Sequence, residues 1–268
     1  MKKLKDLFKS KNKIEMEQLK KWNFALAGLH AAQGVLVLVL AKAVTFPISV
    51  NFLTLNSLAP AGTFQLVPAT QNVFDINLAY LVAAFFFMSA IAHISLATYG
   101  RKWYEKNLKN HLNKARWIEY SFSASTMMVA IAVLSGIYDL STLFAIFAAT
   151  AVMNLCGLIM EVWNGKSKQV NWLSFIIGCI AGIVPWVIIA IYFWATNVYG
   201  SGQIPTFVYF IYGSLFLFFN CFAINMYLQY KRIGPWKDYL YGERVYMILS
   251  LVAKSVLAWQ VFFGALRP

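Results

Sequence analysis

Charge is scarce in this chain: only 12% of the 268 residues are charged, and the acids number 10 against 23 lysines and arginines. A soluble domain carries about 25% charged residues and about 45–50% apolar ones. Here the apolar share is 60%, which excludes an ordinary soluble domain and describes an integral membrane protein. Cysteine is nearly missing, and Cys156, Cys179 and Cys221 lie inside apolar segments with no paired spacing. Neither a disulfide framework nor a metal site is expected, and packing is their ordinary use. The chain also lacks a metal-ligand cluster, a nucleophile motif and a phosphate-binding glycine loop, so an enzyme is not expected, and it lacks the internal repeat that would support a transporter. The net charge of +13 does not mark a nucleic-acid binder, because the cations fall in the short gaps between apolar segments.

Those apolar segments are what the chain has in abundance. About 20 residues suffice for a helix to cross the hydrocarbon core, and seven stretches qualify, at about 22–44, 74–98, 114–137, 140–163, 170–196, 205–230 and 242–266. They predict an all-α membrane protein, a bundle of seven helices forming one domain over 22–266. Residues 1–21 read as a basic tail or a short surface helix, with Leu4, Leu7, Phe8, Ile14 and Leu19 set among lysines. A cleaved signal peptide fits poorly, since the first apolar run has full spanning length. The one long connection, 45–73, contains no charged residue. Its apolar runs at 50–55 and 63–67 flank the turn signal Pro60-Ala61-Gly62 and predict a small β-hairpin. Pro185 predicts a kink in the fifth span, whereas Pro205 suits the first turn of the sixth.

Orientation follows from the cations, because cytoplasmic connections accumulate Lys and Arg. Eight lysines precede the first span, six cations lie between Arg101 and Arg116, Lys166 and Lys168 follow the fourth span, and Lys231, Arg232, Lys237 and Arg244 surround the start of the seventh. The other side holds Lys42 and Arg267. A cytoplasmic N-terminus and an outer C-terminus are expected in a multi-pass cell-membrane protein, with the long loop outside. The basic inner face suits anionic lipid or an acidic partner.

One cation breaks this pattern. Lys254 sits near the middle of the seventh span, where an isolated ammonium costs roughly 2.5 kcal/mol or more. It is either uncharged, paired with a carboxylate, or chemically converted, most simply into a Schiff base. Asp75, Asp139, Glu161 and Glu243 fall at helix ends, where contact with water is expected. Glu119 falls inside the third span and requires a partner. With a rise of about 1.5 Å per residue, the Glu119 backbone lies about 8 Å deep and that of Lys254 about 18 Å. Helical side chains lean toward the N-terminus, so the two groups reach a similar level. His30, Gln33, His93, Ser123 and Ser250 cluster near that level and predict a polar network. A structural ion pair, or a gating pair in a transporter or channel, remains open on these residues alone. The aromatic load, 17% of the chain, favours a flat apolar ligand between the helices.

The run Arg116-Trp-Ile-Glu-Tyr-Ser-Phe-Ser-Ala-Ser, the Ala253-Lys254 pair, the long first outer loop and the reversed topology resemble the heliorhodopsins over essentially the whole chain. The resemblance implies a light-absorbing photoreceptor with all-trans retinal on Lys254 as a protonated Schiff base and Glu119 as its counter-ion. It implies that His30, His93, Ser123 and Ser250 belong to the network around that nitrogen. Tyr120, Met127, Trp186, Phe210, Phe216 and Phe219 are the pocket positions expected on this basis. It further implies a homodimer, a slow photocycle, a cytoplasmic signalling partner and no ion pumping. Outward proton pumps of the ordinary microbial type carry a carboxylate one turn before the retinal lysine and another about three turns beyond the counter-ion. This chain has Ser250 and Ala130 there. A light-driven ion carrier stands between the photoreceptor and transporter readings.

Overall fold

A computed structural model of the chain describes residues 2–60, 62–165, 167 and 169–268, with side chains described from residue 15 onward. The centre of the expected Pro60–Gly62 turn, the side chains of the first lysines, and Lys166 and Lys168 lie outside the described residues. The helices are α1 (Lys2–Leu40), α2 (Leu78–Ala97), α3 (Arg101–Leu108), α4 (Lys114–Leu134), α5 (Leu140–Asn164), α6 (Leu173–Tyr199), α7 (Thr206–Lys231) and α8 (Tyr239–Val261), and a π-turn at Phe262–Leu266 extends the last. Strands β1 (Thr45–Leu55) and β2 (Leu66–Asn77) form one antiparallel hairpin. Seven of the helices are long and apolar enough to cross a membrane, which makes a seven-span bundle.

Local chemistry starts four of these helices where the chain turns. The side chains of Asn77, Asn113, Asp139 and Asp238 each accept a hydrogen bond from a first-turn backbone N–H, opening α2, α4, α5 and α8. The first span is the C-terminal part of one continuous helix, α1, which runs unbroken through residue 22. The connection between the second and third spans also contains a helix the basic composition concealed. In α3, Tyr104 and Leu108 are buried one turn apart against Met16, Leu19 and Leu240.

Around the bundle, α1 packs on α2 and α8, α2 on α4, α4 on α5, α5 on α6, and α7 on α8. The ring closes between α6 and α7 chiefly through aromatic side chains, with Trp186 against Tyr212 and Phe216, and Phe193 against Tyr209. The hairpin is longer than the sequence pattern suggests. It has a bulge at Ile48/Ser49, where Ile48 turns into the core, and Ser49 N donates to Tyr138 O at 2.9 Å. It therefore rests on the end of the bundle where α5 begins.

Candidate functional site

The site is built on the inner faces of α4 and α8. Glu243, Met247, Ser250 and Lys254 recur at helical spacing on one face of α8, and all are buried. On α4, Arg116, Tyr120, Ser123 and Met127 form the matching buried row. Lys254, 2% exposed, donates from Nζ to Ser250 Oγ at 2.7 Å. Its Nζ stands 3.4 Å from Glu119 Oε1 and 5.1 Å from the centre of the Tyr120 ring. The partner inferred from depth alone is thus the one in contact, because α4 and α8 face each other across the bundle. An ammonium at this depth is tolerable because a carboxylate and a hydroxyl take its hydrogen bonds.

Ser89 on α2, absent from the sequence-based network, donates to Glu119 Oε1 at 2.5 Å. It stands four residues before His93 on one helix face, a spacing that could have flagged it. His93 Nδ1 lies 2.7 Å from Asn23 Oδ1. Asn23 Nδ2 donates to Leu19 O, so its oxygen faces the ring and the Nδ1–H of His93 is the donor. His30 stacks on His93 with ring centres 5.6 Å apart, and among the described residues neither of its ring nitrogens has a partner. Gln33 accepts from Trp259 Nε1 at 3.1 Å, on the same seam of α1 and α8. Ser123 is fully buried, with no hydrogen-bond partner for Oγ among the described residues.

From Lys254 a cavity of about 170 Å³ extends across the bundle, walled by Tyr120, Met127, Trp186, Phe216, Phe219 and Phe222. Trp186 meets Phe216 and Phe219 edge-on with ring centres 5.4 Å apart. Five of the six expected pocket positions line this space. Phe210 does not: it is 67% exposed on the outer side of α7, because helix phase turns it away from the row that carries Phe216.

The largest correction concerns the carboxylates expected to meet water at helix ends. Glu161 and Glu243 are 2% and 1% exposed, and both accept from the guanidinium of Arg116. Asn113 completes the cluster, its backbone N–H donating to Glu161 and its side-chain amide to Glu243, each at 2.7 Å. Every carboxylate oxygen therefore has a donor. Glu119 is not the one acid that demands a partner. The cause is tertiary, since the α3–α4 connection folds over the bundle end and shields groups that linear position leaves open. Asp139 keeps its helix-end role as a cap. A cavity of about 30 Å³ lies between this cluster and the lysine site, lined by Asn23, His93, Glu119, Asn113, Arg116 and Glu243. That volume exceeds what one water requires.

A comparison with curated proteins finds no match. The heliorhodopsin family model matches residues 19–266, nearly the whole chain, and the protein belongs to that family of retinal-binding, seven-span membrane rhodopsins.

Proposed function

We propose that the protein is a light-sensing photoreceptor in which all-trans retinal is held on Lys254 as a protonated Schiff base, with Glu119 as counter-ion. The observation that carries this reading is the buried Lys254 Nζ, 3.4 Å from Glu119, at one end of a cavity walled by aromatic rings. The residues fit the ligand: an amine for the aldehyde, a carboxylate for the resulting charge, and a flat apolar slot for the polyene. When bound, retinal supplies visible absorption and a light-driven change of shape.

The chain's own residues do the rest. Lys254 would hold retinal through Nζ, the aldehyde oxygen being lost as water, and the nitrogen would keep a proton. Glu119 offsets that charge, Ser250 Oγ accepts from the nitrogen, and Ser89 donates to Glu119 and fixes its carboxylate. His93 and Glu119 border the small polar cavity, so a displaced proton stays among buried groups. With Ser250 and Ala130 where a pump carries acids, this favours signalling over transport. The signal passes on the cytoplasmic side, where the cationic connections lie. Homodimer formation and the cytoplasmic N-terminus belong to the same proposal.

Lys254→Ala is expected to abolish the visible band formed when retinal is added to the chain. A covalent adduct and band persisting in that variant would reject the assignment. Glu119→Gln is expected to move the band to longer wavelength, since the lost anion stabilises charge at the nitrogen more in the dark than in the excited state. An unchanged spectrum would remove Glu119 from the role. Light-dependent currents or pH changes in liposomes would instead indicate an ion carrier.

A further inference from the structure

We propose that the cavity takes a retinoid whose ring end carries a hydroxyl group, an inference that rests on retinal being the ligand of Lys254. The far side of the cavity is not uniformly apolar. Asn154 on α5 lines it and is 6% exposed. Its Nδ2 donates to Thr150 O at 2.9 Å. That bond fixes the amide's orientation, because turning it over would set two oxygens against each other. The Oδ1 therefore points away from its own helix, and among the described residues nothing donates to it. Asn220 on α7 also touches the cavity and donates from Nδ2 to Phe216 O at 2.8 Å, but it is exposed, so its oxygen is open to its surroundings and Asn154 alone is a buried acceptor there.

Asn154 stands on α5, which packs on α4 and α6, whereas Lys254 approaches from α8, which packs on α1, α2 and α7. The lysine and Asn154 are thus on opposite sides of the cavity. A ligand joined to Lys254 at its aldehyde end presents its ring toward Asn154. Leaving an acceptor unsatisfied in an apolar space is costly, and a hydrocarbon ring offers no donor. A ring hydroxyl does, and its O–H donates to the Asn154 side-chain carbonyl.

The test offers the full chain, expressed without retinal, an equimolar mixture of retinal and ring-hydroxylated retinal. The linkage is then reduced with borohydride and the Lys254 peptide weighed by mass spectrometry. The expected result is an excess of about tenfold of the hydroxylated adduct, falling toward parity in Asn154→Leu, a change of similar volume. Equal amounts of both adducts in the unsubstituted chain would overturn the proposal while leaving retinal as the ligand, and this ratio decides even if the variant fails to fold. An excess that persists in Asn154→Leu would overturn the role of the amide. No adduct of either kind at Lys254 would overturn the retinal reading itself.

Discussion

Arg116 is the side chain on which the inner half of the bundle depends. Its guanidinium pairs with Glu161 and Glu243 and lies over the rings of Trp117 and Tyr246, 4.6 and 3.9 Å from their centres. The desolvation of three charges offsets much of their attraction, so the cluster is not a large net source of stability, but removing one partner strands the others. Arg116→Ala leaves two buried carboxylates with no cation and is expected to cost about 3–5 kcal/mol, read as a large drop in melting temperature in detergent. Glu161→Gln leaves one anion against one cation and is expected to cost less. Equal melting temperatures for Arg116→Ala and the unsubstituted chain would refute this account. The Lys254–Glu119 pair follows the same logic with hydroxyls in place of a second acid: Ser89 and Ser250 satisfy the pair without adding charge.

At the scale of elements, the start of α5 joins the hairpin to the bundle. Asp139 accepts from Thr142 N and Oγ1, each at 2.8 Å, and from Asn51 Nδ2 on β1 at 3.2 Å. The Thr142 backbone N–H first, then the other donors, hold the Asp139 carboxyl below its ordinary value of 3.8. A depressed folded-state value means the contribution is present above the ordinary value and fades as pH falls through the folded one. Protection of the hairpin from proteolysis is expected to weaken on acidification in the natural chain and to change less in Asp139→Asn. Asp139→Ala is expected to cost about 1 kcal/mol through the lost cap. A second element-level constraint lies between α4 and α5, where a Cβ at Gly157 would stand 2.4 Å from the Trp117 ring. Because Trp117 also borders the main cavity, Gly157→Ala is expected to cost about 1–3 kcal/mol and to slow retinal uptake. Uptake at the natural rate would show that the ring has room to move.

At the scale of the whole molecule, an odd number of spans puts the termini on opposite sides of the membrane. The proposed orientation, drawn from the distribution of cations, has the N-terminal side cytoplasmic. A reporter active only outside the cytoplasm, fused after Pro268, is expected to be active, and inactivity there would reverse the orientation. Seven spans, the hairpin and the lysine–carboxylate pair were legible in the sequence because each depends on composition, period or depth along one helix. Exposed Ile91, Phe144, Leu217 and Phe263 show why: a lipid-facing surface is written directly into residue type. The short helix α3 was hidden because its buried apolar residues, Tyr104 and Leu108, are only two among many charges. Ser89, the burial of Glu161 and Glu243, and the displacement of Phe210 were not legible, since each depends on which helix faces which. By itself the sequence determined that this chain spans a membrane seven times and carries a mid-span lysine that has to be uncharged, paired or chemically converted at that depth. Only the tertiary structure decided which acids are sealed from water and which side chains share the lysine's cavity, because burial and contact between helices are set by rotation and packing, which a linear pattern does not encode.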